Sequence, residues 1–146
     1  MESPIVASMS NVSHYRCPGK PIIEELNLEL RKGGKYCMTG RVAQGKSTFM
    51  YFLLKELPSY EGSASLTSSV SCTEQSPFIR GGTIKDNILL GREFVESRYR
   101  EVIYEACLRD DLSLMEKGDE TVLQPDGDNL SGGQRARINL ARALYE

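Results

Sequence analysis

Nine consecutive residues, Gly40-Arg41-Val42-Ala43-Gln44-Gly45-Lys46-Ser47-Thr48, fit the pattern G-x-x-x-x-G-K-[ST] of a phosphate-binding loop. The chemistry follows from the residue types. Gly40 and Gly45 allow backbone turns that a Cβ obstructs, so loop N–H groups can converge on phosphate oxygens. The helix that follows adds the positive end of its dipole. Lys46 reaches terminal phosphates as a point charge, and the Ser47 hydroxyl is a natural Mg²⁺ ligand beside them.

A second stretch, Leu130-Ser131-Gly132-Gly133-Gln134, opens another helix. Ser131 can cap it, and the two glycines bare its first N–H groups. One ligand rarely needs two phosphate cradles on one chain. The second cradle is therefore suited to the γ-phosphate of ATP held by a partner, which predicts a head-to-tail dimer with nucleotide at the interface. Between the two lies Gln75, just past an expected strand end, where its amide can ligate Mg²⁺ or hold a water. Tyr15 precedes the loop by twenty-five residues and offers a ring that can stack on a base.

These residues need positioning elements. Ile5 to Tyr15 reads as a strand, and Ile22 to Leu30 as a second, with Leu26, Leu28 and Leu30 alternating. A turn at 31–34 leads into an expected core strand, Lys35 to Thr39. A helix is expected from Gly45 to about Leu57, apolar almost all round, hence buried, and stopped by Pro58. Ser63 to Leu66 and Ser69 to Thr73 read as short strands. Thr83-x-x-Asp86 is a capping box for a helix Thr83 to Leu90. Residues 94–107 read as a helix with Val95, Tyr99, Val102, Ile103 and Ala106 inward and Arg98, Arg100, Glu101 and Glu105 on a solvated face. Asp110 to Met115 reads as a short helix, Lys117 to Asn129 as a loop. The last helix turns Ile138, Ala141 and Leu144/Tyr145 inward.

Composition narrows the function classes. The chain has 146 residues, 40% hydrophobic and 26% charged, with a formal net charge of −2. That suits one folded domain and shows no basic, aromatic-interleaved tract for nucleic acid. No apolar run is long enough to span a bilayer, and Met1 to Pro4 lacks a signal-peptide start. Cys17, Cys37, Cys72 and Cys107 form no C-x-x-C pair, so free, mostly buried thiols are expected rather than zinc or disulfides. His14, the one histidine, is expected to be structural.

With Leu130 to Gln134, the phosphate loop and Gln75 in this order, nearly the whole chain resembles the nucleotide-binding domain of ATP-binding cassette (ABC) transporters. Gly82 to Ile88, Glu96 to Cys107 and Leu130 to Tyr145 are similar to subfamily C. The likeness is greatest to the first such domains of the cystic fibrosis transmembrane conductance regulator and the multidrug-resistance-associated proteins. Ninety residues separate Gly40 from Leu130, as in those first domains.

The resemblance implies an α/β P-loop NTPase with three parts: an antiparallel β part (1–34), a P-loop core (35–75), and a Q-loop, helical subdomain and signature helix (76–146). It implies ATP and Mg²⁺ as cofactors. Tyr15 becomes the aromatic stacked on adenine, and Gln75 the Q-loop glutamine that senses Mg²⁺ and serves catalysis. Residues 40–48 and 131–134 become the ATP contacts, and Ser47 and Gln75 the metal ligands. The implied partners are a second nucleotide-binding domain and transmembrane domains, whose coupling helix would dock near Ile88, Leu89 and Leu90. The implied location is the cytoplasmic face of a membrane.

Two departures matter. Ala43 replaces a third loop glycine, and a methyl group at a φ > 0 position costs roughly 1 kcal/mol. Gln44 is bulkier than the usual residue. The 146 residues also end before the family's Walker B aspartate and adjacent carboxylate. The resemblance therefore implies a cassette truncated before its Walker B strand, binding ATP weakly and inactive alone. Transport driven by hydrolysis is one expectation; a poorly hydrolysing domain that gates a channel or transporter is the other. ABC-type ATPases of DNA repair or chromosome structure place a long coiled coil between the motifs, and no sustained heptads occur here.

Overall fold

A computed structural model describes residues 4–57 and 60–145. The chain divides into two compact units, Met1–Val70 and Ser71–Glu146.

The first unit is built on a three-stranded antiparallel sheet. Strands β1 (Ile5–Cys17), β2 (Lys20–Arg31) and β3 (Glu61–Leu66) lie in the order β2-β1-β3. The inward alternation on β1 runs Ala7, Met9, then slips one residue to Val12. The slip is a bulge: Asn11 has φ 50° and, on the facing strand, Glu25 has φ 45°. Side chains fix it. Asn27 Oδ1 accepts from Asn11 N at 2.9 Å, and Ser13 Oγ accepts from Glu25 N at 2.9 Å. Without that bulge the strand would turn its polar face inward beyond residue 10. Helix α1 (Lys46–Leu53) closes the small core, Phe52 joining Ala7, Met9 and Val12, with Leu26, Leu28 and Leu30 of β2 packed against them.

Several expectations are corrected here. Residues 35–39 form no strand, because a strand exists only where a neighbour pairs with it, and no backbone partner for them is present among the described residues. The same holds for 69–73. Helix α1 ends at Leu53, not Leu57. Lys55 takes φ 61°, its N–H bonds Phe52 O at 3.0 Å, and Glu56 N bonds Tyr51 O at 2.9 Å. That is a Schellman closure; Pro58, the expected stop, lies outside the described residues. The helix is not buried all round either. Phe52 is buried, but Met50 and Tyr51 are exposed, because this unit offers the helix one face of one sheet. All four thiols are free, yet Cys17, Cys37 and Cys107 are exposed and Cys72 half-buried, since they sit at strand and helix ends or in irregular chain. His14 is buried in β1.

The second unit is mainly helical. Helix α2 (Ile84–Leu89), α3 (Glu96–Glu105), α4 (Arg109–Ser113) and α5 (Gly132–Leu144) surround one core that includes Ile84, Ile88, Val102, Leu108 and Ile138. Within the segment expected to be a plain loop, β5 (Val122–Leu123) pairs antiparallel with β4 (Gly82–Thr83), flanked by 3₁₀ turns at Gly118–Glu120 and Pro125–Gly127. Val95, expected inward, is the exposed residue before α3. Arg98 is not simply solvated: it pairs with Glu101 at 2.7 Å and donates to Leu144 O, meeting a carbonyl at the end of α5. Tyr145 locks the same end, its hydroxyl donating to Glu93 O at 2.7 Å and accepting from Val95 N at 2.8 Å.

Candidate functional site

The phosphate-loop motif lies wholly in the first unit. Its approach is set by a turn in which Gly34 N bonds Arg31 O at 3.0 Å, and Tyr36 folds back so that its hydroxyl accepts from Arg31 N at 2.8 Å. The loop then runs exposed into α1 through Gly45, at φ 84°, where a Cβ would meet Ile22 O at 2.8 Å. Both the conformation and the contact require glycine. No side chain caps the start of α1. Lys46 curls over the loop, its Nζ donating to Gly40 O at 2.8 Å and Arg41 O at 2.6 Å. The ammonium is thus held at the loop, and among the described residues no side chain caps the helix-start N–H groups. That arrangement fits a polyphosphate.

Ala43 stands at φ 65°, the left-handed conformation expected to be strained there. Gln44 has a role the sequence did not reveal. Its Oε1 accepts from Arg41 N at 2.8 Å and lies where a Cβ on Gly40 would meet it at 3.0 Å, so the side chain closes the loop internally. Ser47 is exposed and Thr48 half-buried at the first helical turn. Tyr15 is 38% exposed on β1, opposite Pro21.

The other motif residues lie in the second unit. Gln75 is exposed in a bend. Ser131 caps α5 in a reciprocal box: its Oγ accepts from Gln134 N at 3.2 Å, and Gln134 Oε1 accepts from Ser131 N at 2.9 Å. Gln134 Nε2 also donates to Asp111 at 3.3 Å. The Gln134 side chain is therefore committed within its own unit, while Gly132 and Gly133 present bare backbone. Arg137 forks onto Asp111, Nε to Oδ2 at 2.7 Å and Nη2 to Oδ1 at 3.0 Å. That pairing, with Gln134 behind it, holds the Asp111 carboxyl below its ordinary range against some desolvation. Asp86 of the second capping box is lowered as well, by the Thr83 backbone and hydroxyl. Among the described residues no group of three or more His, Cys, Asp or Glu could hold a metal.

Of the three residues expected at a docking groove, Ile88 is fully buried in the core and cannot face a partner. Leu90 is 39% exposed, at φ 47°.

Sequence reasoning missed Asn87 and Arg142. Asn87 is completely buried and Arg142 half-buried, and the Arg142 guanidinium bonds both the carbonyl and the side chain of Asn87. Burial, with Arg80 and Arg92 nearby, pulls the guanidinium's pKa down. A signal existed: Asn87 interrupts the apolar positions Ile84 and Ile88, and Arg142 follows buried Ile138 by one helical turn. A polar residue on an inward stripe marks a satisfied buried network.

The ABC transporter family profile matches residues 23–146. ABC transporter C family member 8 of Dictyostelium discoideum is 34% identical over 144 residues, 99% of this chain and 9% of that protein. ATP-binding cassette sub-family C member 4 of Mus musculus is 40% identical over 126 residues, 86% of this chain and 10% of that protein. The cystic fibrosis transmembrane conductance regulator of Danio rerio is 38% identical over 125 residues, 86% of this chain and 8% of that protein. The chain thus spans about a tenth or less of the length of these curated relatives.

Proposed function

The chain belongs to the ABC transporter family, and from that premise we propose that it binds ATP–Mg²⁺ on residues 40–48 and serves a membrane transporter whose work is driven by hydrolysis. The observation that carries this is the uncapped start of α1 with Lys46 folded over its own loop. In this reading Lys46 meets the terminal phosphates, Ser47 and Gln75 ligate Mg²⁺, and Tyr15 stacks on adenine. The Ser131–Gln134 turn acts on ATP held by a partner cassette, through the Ser131 hydroxyl and the backbone of Gly132 and Gly133. ATP supplies the anhydride bond and Mg²⁺ offsets its charge.

Transmembrane partners would meet the second unit near Leu89 and Leu90, on the cytoplasmic side of a membrane. No described helix is itself long and apolar enough to cross one. By itself the 146-residue chain should turn over ATP negligibly. A second reading, a regulatory domain that gates a channel or transporter with little hydrolysis of its own, is favoured by the strained Ala43 and the internally bonded Gln44.

The test is MgATP binding by the whole protein, with and without Lys46→Ala. Loss of one charged hydrogen-bonding group, about 1.5–3 kcal/mol, should weaken binding roughly 10- to 100-fold. Unchanged affinity in the variant would sink the assignment. Turnover in the whole protein then separates motor from gate.

A further inference from the structure

We propose that Arg142 is a positioning residue that ties the signature helix to the Gln75 loop, so that the two segments move as one body. Arg142 lies on α5, eight residues beyond Gln134. Its Nε donates to Asn87 O at 2.7 Å, Nη1 to Phe78 O at 2.8 Å and to Asn139 Oδ1 at 3.3 Å, and Nη2 to Asn87 Oδ1 at 3.2 Å. The guanidinium carbon sits 5.8 Å from the centre of the Phe78 ring. Asn87 completes the tie. Its Nδ2 donates to Arg80 O at 2.9 Å and Thr83 O at 3.0 Å, and its Oδ1 accepts from Arg80 N at 3.0 Å. Both amide hydrogens and both oxygen lone pairs are used, so the amide has one orientation. Flipping it would set NH₂ against two donors, Arg80 N and the guanidinium.

The cost of this cluster argues for its purpose. A half-buried guanidinium bonded to carbonyl and amide oxygens, with Arg80 and Arg92 adding like charge, is a poor way to fill a core. What it specifies is the path of residues 78–83. Ile79, 2% exposed, anchors the same segment, its carbonyl accepting from Asp126 N at 3.2 Å. Gln75 stands three residues before Phe78, with Pro77 stiffening the span between. A shift of α5 therefore draws on the Phe78 carbonyl and, through a short stiff segment, on Gln75. Lysine cannot reproduce the fork, because its ammonium is a single point of charge.

This inference rests on the roles proposed above for Gln75 and the Ser131–Gln134 turn, and two measurements on the whole protein keep the questions apart. The first is hydrogen exchange. Arg142→Lys should speed exchange of the amides at 76–81 about fivefold or more while leaving 133–140 protected. Phe78→Ala, which removes an exposed ring, should speed the same amides less and serves if the Lys variant folds poorly. Unchanged exchange at 76–81 in both variants overturns the tie whatever Gln75 does. The second is MgATP turnover in a cycle of Arg142→Lys with Gln75→Ala. The single Lys variant should lose about fivefold, and the double variant should be no slower than Gln75→Ala alone. Losses that multiply would show Arg142 acting on stability only. If exchange responds but Gln75→Ala leaves turnover at the parent rate, the reading of Gln75 fails while the tie stands.

Discussion

The two units prepare their helix starts by opposite means. At Ser131 the side chains satisfy one another around the bare Gly132–Gly133 backbone: a reciprocal capping box, Gln134 and Arg137 on Asp111, and Leu130 and Ile138 in the core on either side. At Gly45 the start is uncapped, one turn residue is strained, and the Gln44 and Lys46 side chains bond back onto the loop itself. The cores differ in the same sense. Among the described residues twelve buried apolar side chains form the second unit's core and four form the first's. Local stability follows buried apolar contact and protected backbone bonds. The Ser131–Gln134 turn is therefore the more rigid of the two, and the loop at residues 40–48 the more pliable.

The most forceful way to break that comparison is to hollow each core. Ile138→Ala removes a side chain with no exposed surface and should cost toward the upper part of the ~2–5 kcal/mol range for large-to-alanine changes. Met9→Ala should fall near its lower end, because Met9 borders an open cavity of about 450 Å³ with Phe52 and Leu53 and its neighbours can relax. Denaturant unfolding followed by hydrogen exchange in each unit gives the two losses. Equal losses would refute the difference in core quality.

A weaker perturbation titrates the brace. Asp111 ionises more readily folded than unfolded, because Arg137 and Gln134 bond its charged form. A lowered folded-state pKa contributes stability that is complete above the ordinary carboxylate value of about 4 and is lost as pH falls through the folded value. Protection of the first turn of α5 should therefore drop in acid below about pH 4. Among the described residues the loop at 40–45 has no carboxylate hydrogen-bond partner, and it should not follow that titration. Asp111→Asn should abolish the acid step at α5. A step that survives in the variant would place the titrating group elsewhere.

What was legible in the chain was local. The Thr83–Asp86 capping box and the Ser131 cap are each read within four residues, and both form; that Gln134 reciprocates the Ser131 cap emerges only from the structure. The left-handed turn at Ala43 is what the family resemblance implied, through the glycine usual at that place, and the backbone takes it. Pairing is different. Residues 35–39 and 69–73 have strand composition, but no residue within them states which neighbour will supply the ladder. Lys55 gave no sign of closing α1, since glycine usually takes that place. The Arg142–Asn87 contact joins positions 55 residues apart, and only the inward phase of each hinted that a polar partner was needed.

The smallest expected effect discriminates most finely. Ala43 and Lys55 are both non-glycine residues in the left-handed region, at φ 65° and 61°, one inside the phosphate loop and one at the far end of the same helix. Glycine at either site relieves about 1–2 kcal/mol of strain and forfeits about 0.4–1 kcal/mol through the freer unfolded chain, a net gain on the order of 0.5–1 kcal/mol. The two substitutions should therefore raise stability about equally in thermal unfolding. Their effect on ATP should differ. Ala43→Gly changes the turn that Gln44 closes on Arg41 and should alter MgATP affinity. Lys55→Gly touches only the Schellman closure and should leave affinity where it was. If both change affinity by the same factor, the strain acts through the helix as a whole, and the loop is not the pliable element.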